Sequence, residues 1–326
     1  MKWLTCILVM ALLSSVLVGR GMGVPPNSPA PPPASGYPAE TIPVGPAAQL
    51  QSPPAAESPG TAANVVVPEL IRLLADPRGE VRAWAADSLG KLGPDAKAAV
   101  PALSGLARDG QPAIRQAAAD ALARMGPAAE KAAPALAALV RDPTWAVRHA
   151  AAAALIEIGP AAKAVVSQMT PLLADSCWDV RRLAAGVLGG IGVPAQAAIP
   201  ALSKLLADEE PVVRVAAAAA LTTVCPKQDT AMPLVEKLLR DAHPGVRALI
   251  AELLGRLGPA AKQSIPALTE TLGDCNYRVR IAAARALGQM GPAASGASPA
   301  VAALLHDGVA DVRIEALAAI VEIKGM

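Results

Sequence analysis

The stretch from Asp109 to Arg148 reads DGQPAIRQAAADALARMGPAAEKAAPALAALVRDPTWAVR, and it contains one full period of a repeat. Asp109 recurs 33 residues later as Asp142, and Arg115 recurs as Arg148. The same step holds along the chain for eight aspartates and eight arginines, which we call the Asp–Arg ladder: Asp76, Asp109, Asp142, Asp175, Asp208, Asp241, Asp274, Asp307, Arg82, Arg115, Arg148, Arg181, Arg214, Arg247, Arg280 and Arg313. A fixed period of this length indicates an array of stacked two-element units.

Each period predicts two helices joined by a short turn. A recurrent Gly-Pro pair separates the units, because glycine ends helices and proline suits the first helical turn. In the second repeat we predict a first helix over residues 94–107, bent at Pro101 because proline removes a backbone hydrogen bond. A turn that carries Asp109 follows, and a second helix then covers residues 112–125. Its apolar residues share one helical face: Ile114, Ala118, Leu122 and Met125.

The apolar columns of the second helices cannot be buried within one unit. The first column is Val or Ile in all eight repeats, and the third is Leu in seven, with Ile320 in the last. Stacking of successive units removes these side chains from water. The 2% aromatic content, with no Phe, means that small aliphatic side chains fill this core through close helix contact. We therefore predict an all-α solenoid of eight 33-residue, two-helix repeats over residues 61–326.

The motif within each unit resembles the HEAT repeat, in the short form that is common in bacteria and called phycobilisome-lyase-like. Pro68 is followed eight residues later by Asp76, and six residues after that by Arg82, which Val81 precedes. This spacing recurs along residues 61–326, whereas the ankyrin and TPR signatures of similar period are absent. The resemblance implies a solenoid in which the second helices line a concave face.

The resemblance also implies a function in protein binding. HEAT arrays present an extended surface to protein partners, and in this family the aspartates and arginines pair within and between repeats. We therefore assign the Asp–Arg ladder a structural role, in which each aspartate can also cap a second helix. A second class stays open, namely a lyase or an oxidoreductase similar to deoxyhypusine hydroxylase, an iron enzyme with His-Glu pairs.

No cofactor or metal site is predicted from the side chains that commonly bind one. The three histidines are interpreted as surface residues, and none of them precedes a glutamate: His149, His243 and His306. Beyond residue 23 the three cysteines lie in different repeats without C-x-x-C spacing, so no disulfide is predicted: Cys177, Cys225 and Cys275.

Two sets of residues are candidates for partner binding. The first set shares a column at the start of the second helices, where aromatic side chains can anchor a partner or cover the turn beneath them: Trp145, Trp178 and Tyr277. The second set lies one, five or nine residues after a ladder arginine, on the predicted outward ridge: Arg182, Glu252, Arg256 and Arg285. Charged ends around a small-residue middle suit a groove for a peptide or an apolar helix, although drift toward alanine gives the same pattern.

The first 60 residues differ in composition from the repeats. A cation, the apolar run from Leu4 to Val18 and the small residues that follow predict a secretory signal over residues 1–23. Residues 24–60 include twelve prolines and predict a disordered linker, because proline removes backbone donors and no core can form. We expect export to the periplasm, the cell surface or the medium, with membrane attachment only through an uncleaved signal.

The charge balance argues against nucleic acid as a partner. Without Lys2 and Arg20 of the signal, the chain has 27 basic and 27 acidic residues. A chain of zero net charge has no overall attraction to a polyanion. We expect a protein partner instead.

The last repeat ends with the sequence IVEIKGM over residues 320–326. Terminal repeats of a solenoid need a polar outer face, and this one retains apolar residues. We expect this end to be covered, with a second copy of the chain as one occupant.

Cleavage of the signal is the first testable prediction. We expect the exported protein to begin after Gly21 or Gly23, because small residues follow the apolar run there. N-terminal sequencing of the protein exported from a bacterial host measures this directly. Leu12→Arg, which interrupts the apolar run, should leave uncleaved precursor inside the cell. An exported protein that still carries Met1 would show an uncleaved anchor instead.

Overall fold

A computed structural model describes residues 59–225 and 228–325, and these contain sixteen α-helices and no strand. The predicted signal, residues 1–23, and the predicted linker up to residue 58 lie outside the described residues. Helices alternate between a first and a second helix of each unit, as the period predicts. The helical architecture and the solenoid class are therefore confirmed, and eight successive helix pairs are consistent with eight repeats.

The two helices of each pair differ in length. The first helices are mostly short: α1 (Pro59–Leu73), α3 (Val100–Gly105), α5 (Ala133–Leu139), α7 (Val166–Leu172), α9 (Ile199–Lys204), α11 (Gln228–Glu236), α13 (Ile265–Thr271) and α15 (Ser298–Ala303). The second helices span about four turns: α2 (Gly79–Leu92), α4 (Pro112–Met125), α6 (Trp145–Ile158), α8 (Trp178–Ile191), α10 (Pro211–Val224), α12 (Pro244–Leu257), α14 (Tyr277–Gln289) and α16 (Ala310–Lys324).

The first helices start later than the sequence indicates. In the second repeat a 3-10 segment, Gly93–Ala99, precedes α3, so Pro101 is the second residue of α3. The prediction of a bent helix over residues 94–107 is wrong, because a proline in the first turn displaces no helical hydrogen bond. Proline does lie inside a helix at Pro68 in α1 and at Pro233 in α11.

Six of the turns between units depend on a glycine with positive φ. Its φ lies between 55° and 72° at these positions, a region that other residues rarely adopt: Gly93, Gly126, Gly159, Gly192, Gly258 and Gly291. Cys225 occupies the equivalent position after α10 and has φ −71° instead. The backbone at the end of α10 therefore has an extended conformation instead of the positive φ of the other turns.

Successive second helices form the core of the array by packing against one another. A Cβ atom added to Gly90 would lie 2.8 Å from the Cα of Ala121 on the next second helix. At Gly255 the corresponding distance, to the Cα of Ala286, is 2.7 Å. Backbones this close leave no room for a side chain at these two glycines. The small-residue composition is thus a requirement of the helix spacing, as the sequence predicts.

The Asp–Arg ladder forms six regular rungs between successive units. Each regular rung pairs an arginine with the aspartate 27 residues later, and the Arg214 Nε to Asp241 Oδ2 distance is 2.7 Å. The same guanidinium donates to the backbone carbonyl of Asp208 in its own turn, at 2.7 Å. Five further rungs repeat this geometry, at 2.7–2.9 Å: Arg82–Asp109, Arg115–Asp142, Arg181–Asp208, Arg247–Asp274 and Arg280–Asp307.

The ladder aspartates accept hydrogen bonds from backbone N–H groups in the loop before each second helix, and not from the first turn of that helix. The Asp241 carboxylate accepts from the backbone N–H of His243, which is the N-cap residue of α12. The expectation that the aspartate side chain caps the helix itself is therefore corrected, because Asp241 lies two residues before the N-cap and its carboxylate binds the N–H of the N-cap residue instead. Burial favours the neutral form of Asp241, but the hydrogen bonds from Arg214 and from this N–H outweigh it and lower its pKa.

One stretch of the array is long and apolar enough to span a membrane. Residues Trp145–Leu172 have a mean hydropathy of 1.4 over their most apolar window. They form α6, the 3-10 segment Gly159–Val165 and α7, and 56% of that window is buried inside the array. Buried core elements have the same composition, so we assign this stretch to the core of the solenoid.

The close helix spacing predicts opposite effects for two glycine-to-alanine changes. Gly255→Ala should destabilise the protein by about 1–3 kcal/mol, because its methyl group would press on α14. Gly105→Ala is the control, since no atom lies within 4 Å of its added Cβ. We expect the control to be neutral or to stabilise by up to about 1 kcal/mol. Urea unfolding followed by circular dichroism compares the two, and equal effects would contradict the packing described.

Candidate functional site

The aromatic column places its three members in different surroundings. Trp145 begins α6 and is 59% exposed, and Tyr277 begins α14 and is 36% exposed. Trp178 begins α8 and is half-buried, with its ring packed against the core. The helices α6 and α8 are neighbours, whereas α14 lies three repeats beyond α8. The column therefore offers two separate exposed aromatics instead of one continuous edge.

Arg182 is not on the surface. Its side chain is only 3% exposed, and it donates to Asp179 Oδ1 at 2.9 Å. The expectation that it lies on an outward ridge is wrong. Residues 179–189 of α8 are all buried, because its glycines allow the neighbouring helices to approach closely. A Cβ at Gly190, for example, would lie 3.1 Å from the Cα of Ile156 on α6.

Arg182 belongs to a polar cluster between α6 and α8. The Arg182 guanidinium lies 2.9 Å from His149 Nε2, and His149 Nε2 lies 3.2 Å from Asp179 Oδ1. Arg148 also binds Asp179, with a 3.0 Å distance between its terminal nitrogen and Oδ2. The histidine ring packs against Trp145 at an interplanar angle of 31°, with 4.0 Å between the ring centroids. We call these five residues, Trp145, Arg148, His149, Asp179 and Arg182, the α6–α8 cluster.

The cluster replaces one rung of the ladder. Arg148 bonds to Asp179, 31 residues later, whereas the regular spacing leads to Asp175. Asp175 binds Arg141 instead, at 3.1 Å. A regular rung is absent here because Asp179 presents a second carboxylate one helical turn beyond Asp175.

Asp179 holds the negative charge of this cluster. Burial alone would raise the pKa of its carboxyl group. The hydrogen bond from His149 and the charge of Arg182 outweigh burial, so its pKa lies far below the usual range. Asp179 therefore stays ionised throughout the neutral range. Arg148 and Arg182 both bind this carboxylate, and the hydrogen bond from His149 to the same group holds the histidine ring beneath Trp145.

His149 is thus corrected from a surface residue to a member of a partly buried cluster. Its side chain is 25% exposed. The other two histidines differ from it: His243 accepts a hydrogen bond from the N–H of Gly245 at the start of α12, and His306 is exposed. Among the described residues, no three His, Cys, Asp or Glu side chains are arranged to hold a metal ion.

The remaining ridge residues lie toward the C-terminal repeats. Arg285 on α14 is 45% exposed, and its guanidinium binds Glu315 on α16 at 2.6 Å. Glu252 and Arg256 are half-buried on α12. Between them and α6 the ridge is largely closed, since Gly186 and Ala219 are buried. The predicted groove with a smooth middle is therefore not continuous through α8.

Sequence reasoning missed several exposed apolar residues. Trp84 on α2 is 59% exposed, at a column where the later repeats have residues such as Ala150 and Leu183. Ile314, Leu317 and Val321 are 66%, 56% and 46% exposed on α16. Their 3- and 4-residue spacing can be read from the sequence. Their exposure cannot, because it depends on whether a neighbouring helix covers them.

Comparisons with known proteins agree on the repeat. The family model for HEAT repeats matches residues 67–156, 166–231 and 231–321. None of the curated protein sequences matches this chain. Importin beta has a TM-score of 0.53 at 16% identity, over 81% of this chain and 42% of its own. A mutant of Kap121p has a TM-score of 0.53 at 17% identity, over 81% of this chain and 34% of its own.

An enzyme is also among the solved structures that match. Human deoxyhypusine hydroxylase has 22% identity over 82% of this chain and 98% of its own, but its TM-score is 0.33. That score is too low to support an argument about function. The likeness to importin beta and Kap121p, at identities below 25%, concerns the fold alone.

The α6–α8 cluster predicts a large stability difference between two arginines. Arg182→Met removes one partner of a buried ion pair and should cost about 3–5 kcal/mol. Arg285→Met removes a partner of an exposed pair and should cost about 0–1 kcal/mol. Urea unfolding of the two variants measures this difference. Similar costs for both would show that Arg182 is not part of a buried charge network.

Proposed function

The chain belongs to the HEAT-repeat family, and on that premise we propose that it is a non-catalytic scaffold that binds a protein partner. Solenoids of this fold commonly serve as protein-interaction scaffolds, and importin beta shares the fold. The best-supported binding site on this chain is the exposed face of Trp145. One observation carries this assignment: a largely exposed indole is stacked on a histidine that a buried ion cluster holds.

The physical support for Trp145 is its preorganisation. Tryptophan is enriched among the residues that dominate protein interfaces, because it buries a large area on binding. A side chain that is already ordered loses less conformational entropy when a partner covers it. The Trp145 ring rests on His149, which in turn contacts Asp179 and Arg182. The ring of Tyr277 is held less firmly. The exposed Arg278 lies over it, with 5.6 Å between the guanidinium carbon and the ring centroid.

A protein partner fits the charge balance better than a nucleic acid does. The 27 basic and 27 acidic residues beyond the signal cancel, and in the described array most of them pair in ladder rungs or surface ion pairs. Arg285 is bound by Glu315, and Arg240 by Glu270. The cations in these pairs are already neutralised, so they contribute little attraction to a phosphate backbone.

We also propose that the scaffold acts outside the cytoplasm. The apolar run from Leu4 to Val18, with Lys2 before it, is the pattern of an export signal. The proline-rich segment predicted over residues 24–60 would then separate the array from the membrane or from the cleavage site. The periplasm, the cell surface and the medium are all compatible with this proposal.

Partner capture with two equally exposed tryptophans tests the proposed site. The full chain, Trp145→Ala and Trp84→Ala are each cross-linked in the envelope fraction of the host, and the bound proteins are identified by mass spectrometry. Trp84 is the matched control, because both indoles are 59% exposed. We expect one partner that the full chain and Trp84→Ala retain and that Trp145→Ala loses at least about tenfold.

Two other outcomes of this experiment would contradict the proposal. A partner that Trp145→Ala retains but Arg285→Glu loses would move the site to the α14 ridge. The absence of any enriched partner would argue against a scaffold. Circular dichroism of Trp145→Ala, with an unchanged melting temperature, excludes unfolding as the cause of lost binding.

A further inference from the structure

Every junction between repeats uses the same columns of the second helices. The residue four positions after each ladder arginine is alanine in seven repeats, and each of these is at most 1% exposed: Ala86, Ala119, Ala152, Ala185, Ala218, Ala251 and Ala284. The residue eight positions after the arginine contacts the following repeat directly. A Cβ on Gly288, for example, would lie 3.0 Å from the Cα of Ala319 on α16. These columns therefore form the forward face of each repeat.

The forward face of the last repeat is exposed and more apolar than the others. Ile314, Leu317 and Val321 lie one, four and eight residues after Arg313, and they are 66%, 56% and 46% exposed. In earlier repeats the columns of Leu317 and Val321 hold mostly alanine and glycine. A terminal face that contacts only water is expected to become polar. The last repeat instead has larger apolar side chains than the earlier repeats in these columns, which indicates that a partner covers them.

The backward face of the first repeat is exposed at equivalent positions. Trp84 lies two residues after Arg82 and is 59% exposed, whereas Ala150, Leu183 and Ala282 in the same column are 7%, 1% and 1% exposed. Val66 on α1 is 44% exposed, and in later repeats its column is buried, for example at Ala99. The two ends of the described array thus expose the complementary halves of one inter-repeat junction.

The ladder is also incomplete at these two ends, with opposite charges. Arg313 donates to the carbonyl of Asp307, but it has no ion pair among the described residues. Asp76 has no ladder arginine before it, since position 49 is Gln49. Its carboxylate binds Arg78, whose side chain is 73% exposed. An exposed pair of this kind is weak, so an incoming arginine can displace Arg78 at little cost.

We propose that the protein associates head to tail, with the forward face of α16 in one copy packed against the backward face of α1 and α2 in the next. Arg313 of one copy then completes a ladder rung with Asp76 of the other. The apolar residues Ile314, Leu317 and Val321 cover Trp84 and Val66 in the same contact. Such a junction is heterologous, because it joins two different surfaces, and it therefore extends to short filaments unless it closes into a ring. It does not depend on the partner site at Trp145.

A charge exchange between two variants tests this arrangement in the full chain. Arg313→Glu alone and Asp76→Arg alone each place like charges at the junction, and each should weaken association at least about tenfold. An equimolar mixture of the two should associate as the unmodified chain does, because every junction between unlike copies then pairs opposite charges. Sedimentation velocity over a range of protein concentrations measures all four samples. Arg240→Glu, the same change at an exposed site far from both ends, is the control and should associate normally.

The alternative occupants of the two faces give different results. If two α16 faces paired with each other, Asp76→Arg would associate like the unmodified chain, which would overturn the head-to-tail arrangement. If residues 1–58 covered the first repeat, the unmodified chain would stay monomeric at all concentrations, and this too would overturn it. Leu317→Asp should weaken association without the charge rescue, which separates the apolar contact from the rung. Unchanged circular dichroism of each variant shows that loss of association is not loss of folding.

Discussion

The close approach of successive second helices is the constraint on which the rest of this structure depends. Their backbones are near enough that even a Cβ atom would clash at Gly90 and Gly255. No repeat can bury its own apolar stripe, so each one is stable only because its neighbours cover it. Every other feature, including the ladder and the α6–α8 cluster, is arranged by this spacing.

The ladder links the turn of one unit to the turn of the next unit in the array. In the six regular rungs the arginine fixes its own turn through a carbonyl and binds the aspartate of the next turn with two parallel hydrogen bonds, as Arg214 does. The six regular rungs share one geometry, and the rung of Arg148 departs from it. Where Asp179 adds a second carboxylate, Arg148 leaves the regular spacing and a histidine and a buried arginine join it. At this departure from the regular repeat, an exposed indole rests on a side chain that a buried ion cluster holds.

Two kinds of surface follow from the same architecture. The side of the array carries Trp145, whose support comes from a departure from the repeat. The ends carry unburied junction columns, whose properties come from the repeat itself. Association through the ends would lengthen the scaffold without covering Trp145. A protein of modest size could in this way present several copies of one binding site along a line, which raises avidity for a partner with several matching sites.

The sequence by itself determined the period, the all-α solenoid, the second helix over residues 112–125 and the structural role of most of the ladder, because repetition reveals which positions are equivalent. It could not determine the start of α3, since a 3-10 segment and a helix leave the same apolar trace in the sequence. It also could not rank the site residues. Arg182 and Arg285 both lie in ridge columns, yet one is 3% and the other 45% exposed. Only the tertiary structure decided this, because burial depends on how closely the neighbouring helices pack, and that distance is set by glycines on adjacent helices.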